Sequence, residues 1–76
     1  MKSLNECKAL MTDVSDAGLA MASAVSRDKE QAFNQGMITG ASAVLLWVME
    51  LENQNPGISG LIAKMRQMAQ QYRGEE

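Results

Sequence analysis

Few residues in this 76-residue chain carry side chains that could do acid–base, nucleophilic or metal chemistry. Two pairs of carboxylates are close in sequence, Asp13 with Asp16 and Glu50 with Glu52, and paired carboxylates can bind a divalent cation or transfer protons. Neither pair has a further ligand nearby, and the sequence contains no histidine, the commonest general base and metal ligand. The pairs therefore indicate solvated helix faces, and we expect no catalytic residue, no cofactor and no metal.

The single cysteine, Cys7, excludes an internal disulfide and a cysteine-rich zinc site. A reactive thiol needs positive charge around it, and only Lys8 is close in sequence, so we predict that Cys7 is a small buried apolar residue. A lone thiol and a start without an apolar leader segment favour a cytoplasmic protein. Together these features predict a protein that is not an enzyme.

Three cations near the end of the chain, Lys64, Arg66 and Arg73, lie among glutamines and could form a recognition helix for nucleic acid. The net charge of -2 gives no general attraction to a polyanion, and two glutamates follow these cations directly. A nucleic-acid-binding regulator is therefore an alternative to the function favoured below, and nucleic acid is an unlikely partner.

The apolar residues recur at helical spacing along nearly the whole chain, which predicts three helices at about residues 4–25, 29–53 and 57–73. Ser3 and Glu6 form a capping-box pair at the start of the first helix. The charged stretch 26–30 predicts a turn, with Ser26 or Asp28 capping the second helix, although one long bent helix is the alternative.

The segment 53–57 carries the strongest turn signal in the chain. We predict that Asn55 caps the third helix and that Pro56 occupies its first position, with Ser59 as a second candidate for the cap. Gly74 is predicted to end that helix.

An antiparallel hairpin of the first two helices brings together residues whose numbers sum to about 54, if both helices are regular. The pairs expected to face each other are Gly18 with Gly36, Val14 with Gly40, Met21 with Phe33, and Cys7 with Trp47. Glycine costs roughly 1 kcal/mol relative to alanine inside a helix, and close packing of the two helices would compensate for that cost. A glycine-based contact between two copies of the chain is the alternative interpretation.

Residues 31–49 of the second helix contain no charge, and residues 44–49 are apolar on every side. Three explanations compete: a central helix between the other two, a surface that meets a second copy or another protein, and membrane insertion. The apolar run from 36 to 49 falls short of the about 20 residues that span a bilayer, so a membrane-active protein is the least favoured. Leu46 and Met49 align with polar residues and are predicted to be exposed.

The sequence thus predicts an all-α protein with a single domain over residues 1–76, in which an antiparallel helical hairpin and a third helix form a three-helix bundle. We expect this bundle to dimerise into a larger helical bundle. The favoured function is a non-enzymatic protein–protein interaction module that self-associates and binds another protein as a small inhibitor, adaptor or chaperone. Its size and helical content are typical of bacterial and phage accessory proteins. The residues predicted to make these contacts are Phe33, Gly36, Gly40, Leu46, Trp47 and Met49.

Overall fold

The computed structural model describes residues 1–25 and 27–75, with all their side chains except those of Glu52 and Glu75. These residues form three α-helices: α1 (Leu4–Ser23), α2 (Lys29–Val48) and α3 (Ile58–Glu75), with one short 3-10 turn at Glu52–Gln54. The described part of the chain contains no strand. The all-helical class and the number of helices are therefore as predicted.

The start of α1 is capped as the sequence indicates. The amide of Glu6 donates a hydrogen bond to the Ser3 hydroxyl oxygen at 3.2 Å. The chain then turns between α1 and α2, as predicted, instead of continuing as one long helix. Asp28 precedes α2 in the left-handed conformation (φ 53°), and its backbone carbonyl, not its side chain, accepts from the amide of Ala32 at 2.9 Å. The alternative cap, Ser26, lies outside the described residues.

The second helix ends at Val48, and the predicted boundary at residue 53 is wrong. Glu50 takes the left-handed conformation with φ 60°. The amide of Leu51 donates to the carbonyl oxygen of Leu46 at 2.9 Å, and the amide of Glu50 donates to that of Trp47 at 3.0 Å. This pair of bonds is a Schellman ending. Such endings usually contain glycine, and the glutamate at this position hid the boundary from the sequence pattern.

The connection to α3 differs from the prediction in its details. Asn55 does not cap the helix; its side-chain amide donates to the carbonyl oxygen of Leu51 at 2.7 Å. Pro56 lies in the turn and not at the first helical position, and Ser59 lies inside α3. Gly57 (φ 96°) adopts a backbone conformation that suits glycine, and its carbonyl accepts from the amide of Leu61 at 2.8 Å.

The C-terminal end of α3 lies beyond its predicted boundary at residue 73. The helix continues through Gly74 to Glu75, so Gly74 does not end it.

The central helix of the molecule is α1. It packs against α2 and α3 along much of its length, whereas α2 and α3 meet at few positions. Leu10, Val14 and Ala17 of α1 are at most 2% exposed. The buried residues that pack around them come from both other helices and are Ala43, Val44, Ile62 and Met65. The hypothesis that α2 lies between the other two helices is therefore wrong, because the helix that packs against both others is α1.

Two of the four facing pairs predicted for the α1–α2 hairpin, Gly18 with Gly36 and Val14 with Gly40, are confirmed. The methyl groups of Val14 lie directly against the Cα of Gly40, so close that a Cβ atom at Gly40 would overlap them. A Cβ atom at Gly36 would lie 3.4 Å from the Cα of Gly18. Phe33 packs against Gly18, and the Met21 sulfur against Gly36, so each large side chain faces a glycine.

Candidate protein-interaction surface

One side of α2 is apolar and faces away from the rest of the chain. We call it the α2 outer face, and it consists of the five exposed residues Ile38, Ala41, Ser42, Leu45 and Met49. Ile38 is 61% exposed, Leu45 60% and Met49 53%. Because these large apolar side chains are exposed and lie along one side of the helix, this face is the candidate interaction surface.

The position of α1 explains why this face is uncovered. α2 turns Gly36, Gly40 and Val44 towards α1, and all three are buried. Because α3 packs mainly on α1, it leaves the opposite side of α2 open. The face also has no charged residue, since the chain carries none between positions 31 and 49.

Most of the residues predicted to make partner contacts lie on the α1 side of α2. Gly36 and Gly40 are buried against α1, so the close helix approach that they permit is within the chain. Phe33 is half-buried against Gly18. Trp47 is half-buried and packs against the core.

The two remaining residues predicted to make partner contacts, Leu46 and Met49, differ in their exposure. Met49 is exposed, as predicted, and belongs to the α2 outer face. Leu46 was predicted to be exposed but is half-buried.

The largest exposed side chains of the face, Ile38 and Leu45, are absent from the predicted contact set. Their signal was present, because they belong to a second apolar stripe beside the one that contains Phe33 and Trp47. Spacing alone did not show which stripe faces α1. The glycines decide which stripe faces α1. Gly36 and Gly40 allow α1 to pack closely against their side of α2, so the second stripe faces outwards.

The indole of Trp47 is held by two cations. The ammonium of Lys2 lies 4.9 Å from the ring centroid, and the guanidinium carbon of Arg66 lies 5.8 Å from it. Cation–π contacts of this kind contribute about 0.5–1 kcal/mol at exposed sites. The backbone amide of Lys2 also donates to the carbonyl oxygen of Val48 at 3.2 Å. Trp47 therefore joins the chain's first residues and α3 to the end of α2.

The N-terminal residues lie at the Met49 end of the α2 outer face. The Met1 ammonium donates to a carboxylate oxygen of Glu50 at 2.8 Å. This hydrogen bond, followed by the positive charge of the ammonium, lowers the pKa of Glu50 below its ordinary value. The ion pair therefore stabilises the folded chain at pH values above the ordinary pKa of a glutamate. This stabilisation is lost as the pH falls through the lowered pKa of Glu50 in the folded chain.

An ionic cluster joins α1 to α3. Arg73 donates from Nε to Asp16 at 2.6 Å and from Nη2 to Asp13 at 2.7 Å. Arg66 adds a longer ion pair of 3.8 Å to Asp13. Hydrogen bonds to Asp13 and then to Asp16 raise the pKa of Arg73 above its ordinary value.

This cluster corrects the prediction that Asp13 and Asp16 form a solvated face. Their side chains are only 20% and 23% exposed, and both pair with α3. The cluster also engages Arg66 and Arg73, two of the three cations that suggested a nucleic-acid-binding helix. That alternative loses much of its free positive charge.

A partly enclosed cavity of about 250 Å³ lies where the three helices diverge. Met21 of α1 and Gly36 of α2 line it, together with Leu61, Met65 and Met68 of α3. The polar residues around the cavity are Gln35 and Thr39 of α2 and Lys64 of α3. The sparse contact between α2 and α3 leaves this space.

Among the described residues, no group of three or more His, Cys, Asp and Glu side chains could hold a metal ion. Cys7, predicted to be buried, is half-buried. Over the same residues, each helix is too short or too polar to cross a membrane.

Comparison of the chain with protein-family models, with curated proteins and with solved structures gave no match.

Proposed function

We propose that this chain is a non-enzymatic protein–protein interaction module that self-associates through the α2 outer face. A second protein would be bound through the same kind of apolar contact, and the chain would act on it as an inhibitor, adaptor or chaperone. The lone thiol of Cys7 favours a reducing, cytoplasmic setting.

One observation supports this proposal above the others. Ile38 and Leu45 of α2 and Met49 at its C-terminal cap are each more than half exposed, on the side of the helix that faces away from α1. Taking such a side chain from full exposure to full burial contributes roughly 1.5–3 kcal/mol, and a partner would add about half of that for each of these three, because they are already partly buried. A surface that would gain so much from burial favours a partner.

A second copy of the chain suits the α2 outer face. A two-fold interface brings the same patch of both copies together, so a charged patch would repel itself. The uncharged stretch 31–49 has no such repulsion. Ala41 and Ser42 are small and allow two helices to approach between Ile38 and Leu45.

The size of the face sets the expected affinity. The α2 outer face runs from Ile38 to Met49, which is about 18 Å of helix at 1.5 Å per residue, and with a width of about 10 Å it gives on the order of 200 Å² per copy. A standard stable interface buries about 800 Å² per partner. We therefore expect reversible dimerisation in the micromolar range or weaker, which leaves the face available to a different protein.

Sedimentation equilibrium over a concentration series tests the proposal. We expect the wild-type chain to shift from monomer to dimer as its concentration rises, and we expect Leu45→Lys to remain monomeric. A lysine at this position would place two like charges in the two-fold contact. Leu45 is 60% exposed, so the folded chain should tolerate the substitution with a stability change of about 0.5 kcal/mol or less.

The matched control is Ala9→Lys, which adds the same charge to an exposed position of α1. We expect this variant to dimerise like the wild type. A wild-type chain that stays monomeric at the highest concentration would overturn self-association. Equal loss of dimer in both lysine variants would show that net charge, and not the α2 outer face, controls it.

A further inference from the structure

The cavity between the helices has an apolar interior and a polar rim. Three methionines, Met21, Met65 and Met68, and one leucine, Leu61, supply the apolar surface. Methionine is flexible and adapts to ligands of different shape. Such a lining suits an apolar group that enters from solvent through the partly open side.

The rim carries one positive charge, that of Lys64. Of the α3 cations, Arg66 and Arg73 pair with carboxylates of α1. None of the described carboxylates pairs with Lys64. Gln35 and Thr39 lie around the same cavity on α2 and offer hydrogen-bond donors without a competing negative charge.

We propose that this cavity binds a small monocarboxylate with an apolar tail. The carboxylate pairs with the Lys64 ammonium and accepts hydrogen bonds from Gln35 or Thr39, while the tail lies among the methionines. This site is separate from the α2 outer face, and the proposal does not rest on self-association.

The volume of the cavity limits the tail. A cavity of roughly 150 Å³ can hold benzene, and pockets for drug-sized ligands begin at about 300 Å³. At about 250 Å³, this cavity suits a short alkyl chain or a single aromatic ring. Long-chain fatty acids exceed it.

The test compares three probes that each contain a linear chain of eight carbons: octanoate, octanol and octylammonium. With methyl-labelled methionine, NMR titration follows each methyl signal. We expect octanoate to shift the signals of Met21, Met65 and Met68 and to leave that of Met49 unchanged. Octanoate should bind about two- to fivefold more tightly than octanol, which is the effect of one exposed ion pair, and octylammonium should bind most weakly.

A substitution of Lys64 tests what the charge of the probe contributes to binding, separately from its apolar tail. Lys64→Met should weaken octanoate binding by about two- to fivefold and leave octanol binding unchanged, because it removes the ammonium and keeps an apolar stem. The matched control, Lys8→Met, changes an exposed lysine on α1 that does not line the cavity and should bind octanoate like the wild type.

Four results would overturn the proposal. They are the absence of octanoate binding, equal affinities for the three head groups, an octanoate affinity that Lys64→Met leaves unchanged, and signal shifts centred on Met49. The last result would place the probe on the α2 outer face. Because the sites of Met49 and Met65 report separately, the failure of this proposal is distinguishable from the failure of self-association.

Discussion

At the scale of single residues, the tightest of the glycine contacts lies between Gly40 of α2 and Val14 of α1. A Cβ atom at Gly40 would overlap the Val14 methyl groups, and Val14 is only 1% exposed and cannot move outwards. Gly40→Ala should therefore destabilise the chain by about 1–3 kcal/mol, the cost of overpacking a core. Denaturant unfolding followed by circular dichroism measures this change.

Gly60 provides the control for Gly40, because it is also a helical glycine. A Cβ atom at Gly60 would meet no atom within 4 Å, so Gly60→Ala should stabilise α3 by about 0.5–1 kcal/mol. Opposite signs for the two substitutions would identify contact with Val14 as the cause. A stabilising Gly40→Ala would show that the hairpin can open at little cost.

At the scale of elements, the ionic cluster fixes α3 on α1. Arg73 bridges Asp13 and Asp16, which lie one helical turn apart on α1. Arg73→Gln and Asp13→Asn should each lower the melting temperature, and the double variant should lose less than the sum of the two losses. A double-mutant cycle measures this coupling, and additive losses would contradict a direct interaction. Arg73→Gln with Lys29→Gln, on a different helix, should be additive.

The direction of the Arg73 pKa shift indicates how the cluster responds to pH. A cation whose pKa is raised by folding contributes stability that is present below its ordinary value. That contribution is lost only as the pH rises through the higher folded-state value, far into the alkaline range. From the arginine side, then, the α1–α3 contact is insensitive to pH near neutrality.

At the scale of the whole molecule, stability depends most on α1, because both other helices pack on it. Leu10 is fully buried and belongs to the core cluster, so Leu10→Ala should cost about 2–5 kcal/mol. A core of this size rarely supplies more than about 3–5 kcal/mol, so we expect this variant to be largely unfolded at room temperature. Thermal unfolding followed by circular dichroism measures it.

Leu19 is the matched control for Leu10, since it lies on the same helix and is 39% exposed. Leu19→Ala should cost less than about 1 kcal/mol, because less of its side chain leaves the protein interior. Equal costs for the two leucines would contradict the burial of Leu10 between α1 and its neighbouring helices.

Much of the fold could be predicted from the sequence. Helical spacing gave the three helices, the Ser3–Glu6 pair gave the start of α1, and the small residues gave the register of the hairpin. The ends of helices were harder to predict. Glu50 adopts a left-handed conformation without being glycine, and Asn55 bonds backwards to Leu51, so neither showed where its helix begins or ends.

The candidate surface was predicted only in part. The uncharged stretch of α2 pointed to the correct helix, but its two apolar stripes were indistinguishable by spacing. Which stripe is buried depends on the close approach of α1 at Gly36 and Gly40. The pairing of Asp13 and Asp16 with Arg73, which joins α3 to α1, is a long-range contact that no local pattern contains. The cavity beside Lys64 depends on the same placement.

The fit of Val14 against Gly40 has a mechanical consequence for binding. If α2 slid along α1 by a single residue, Val14 would meet a side chain in place of bare backbone, and the two helices would have to separate. The hairpin therefore has one alignment, and α1 in turn sets the position of α3. A partner bound at Leu45 and a ligand bound beside Lys64 would therefore stay at a constant distance from each other.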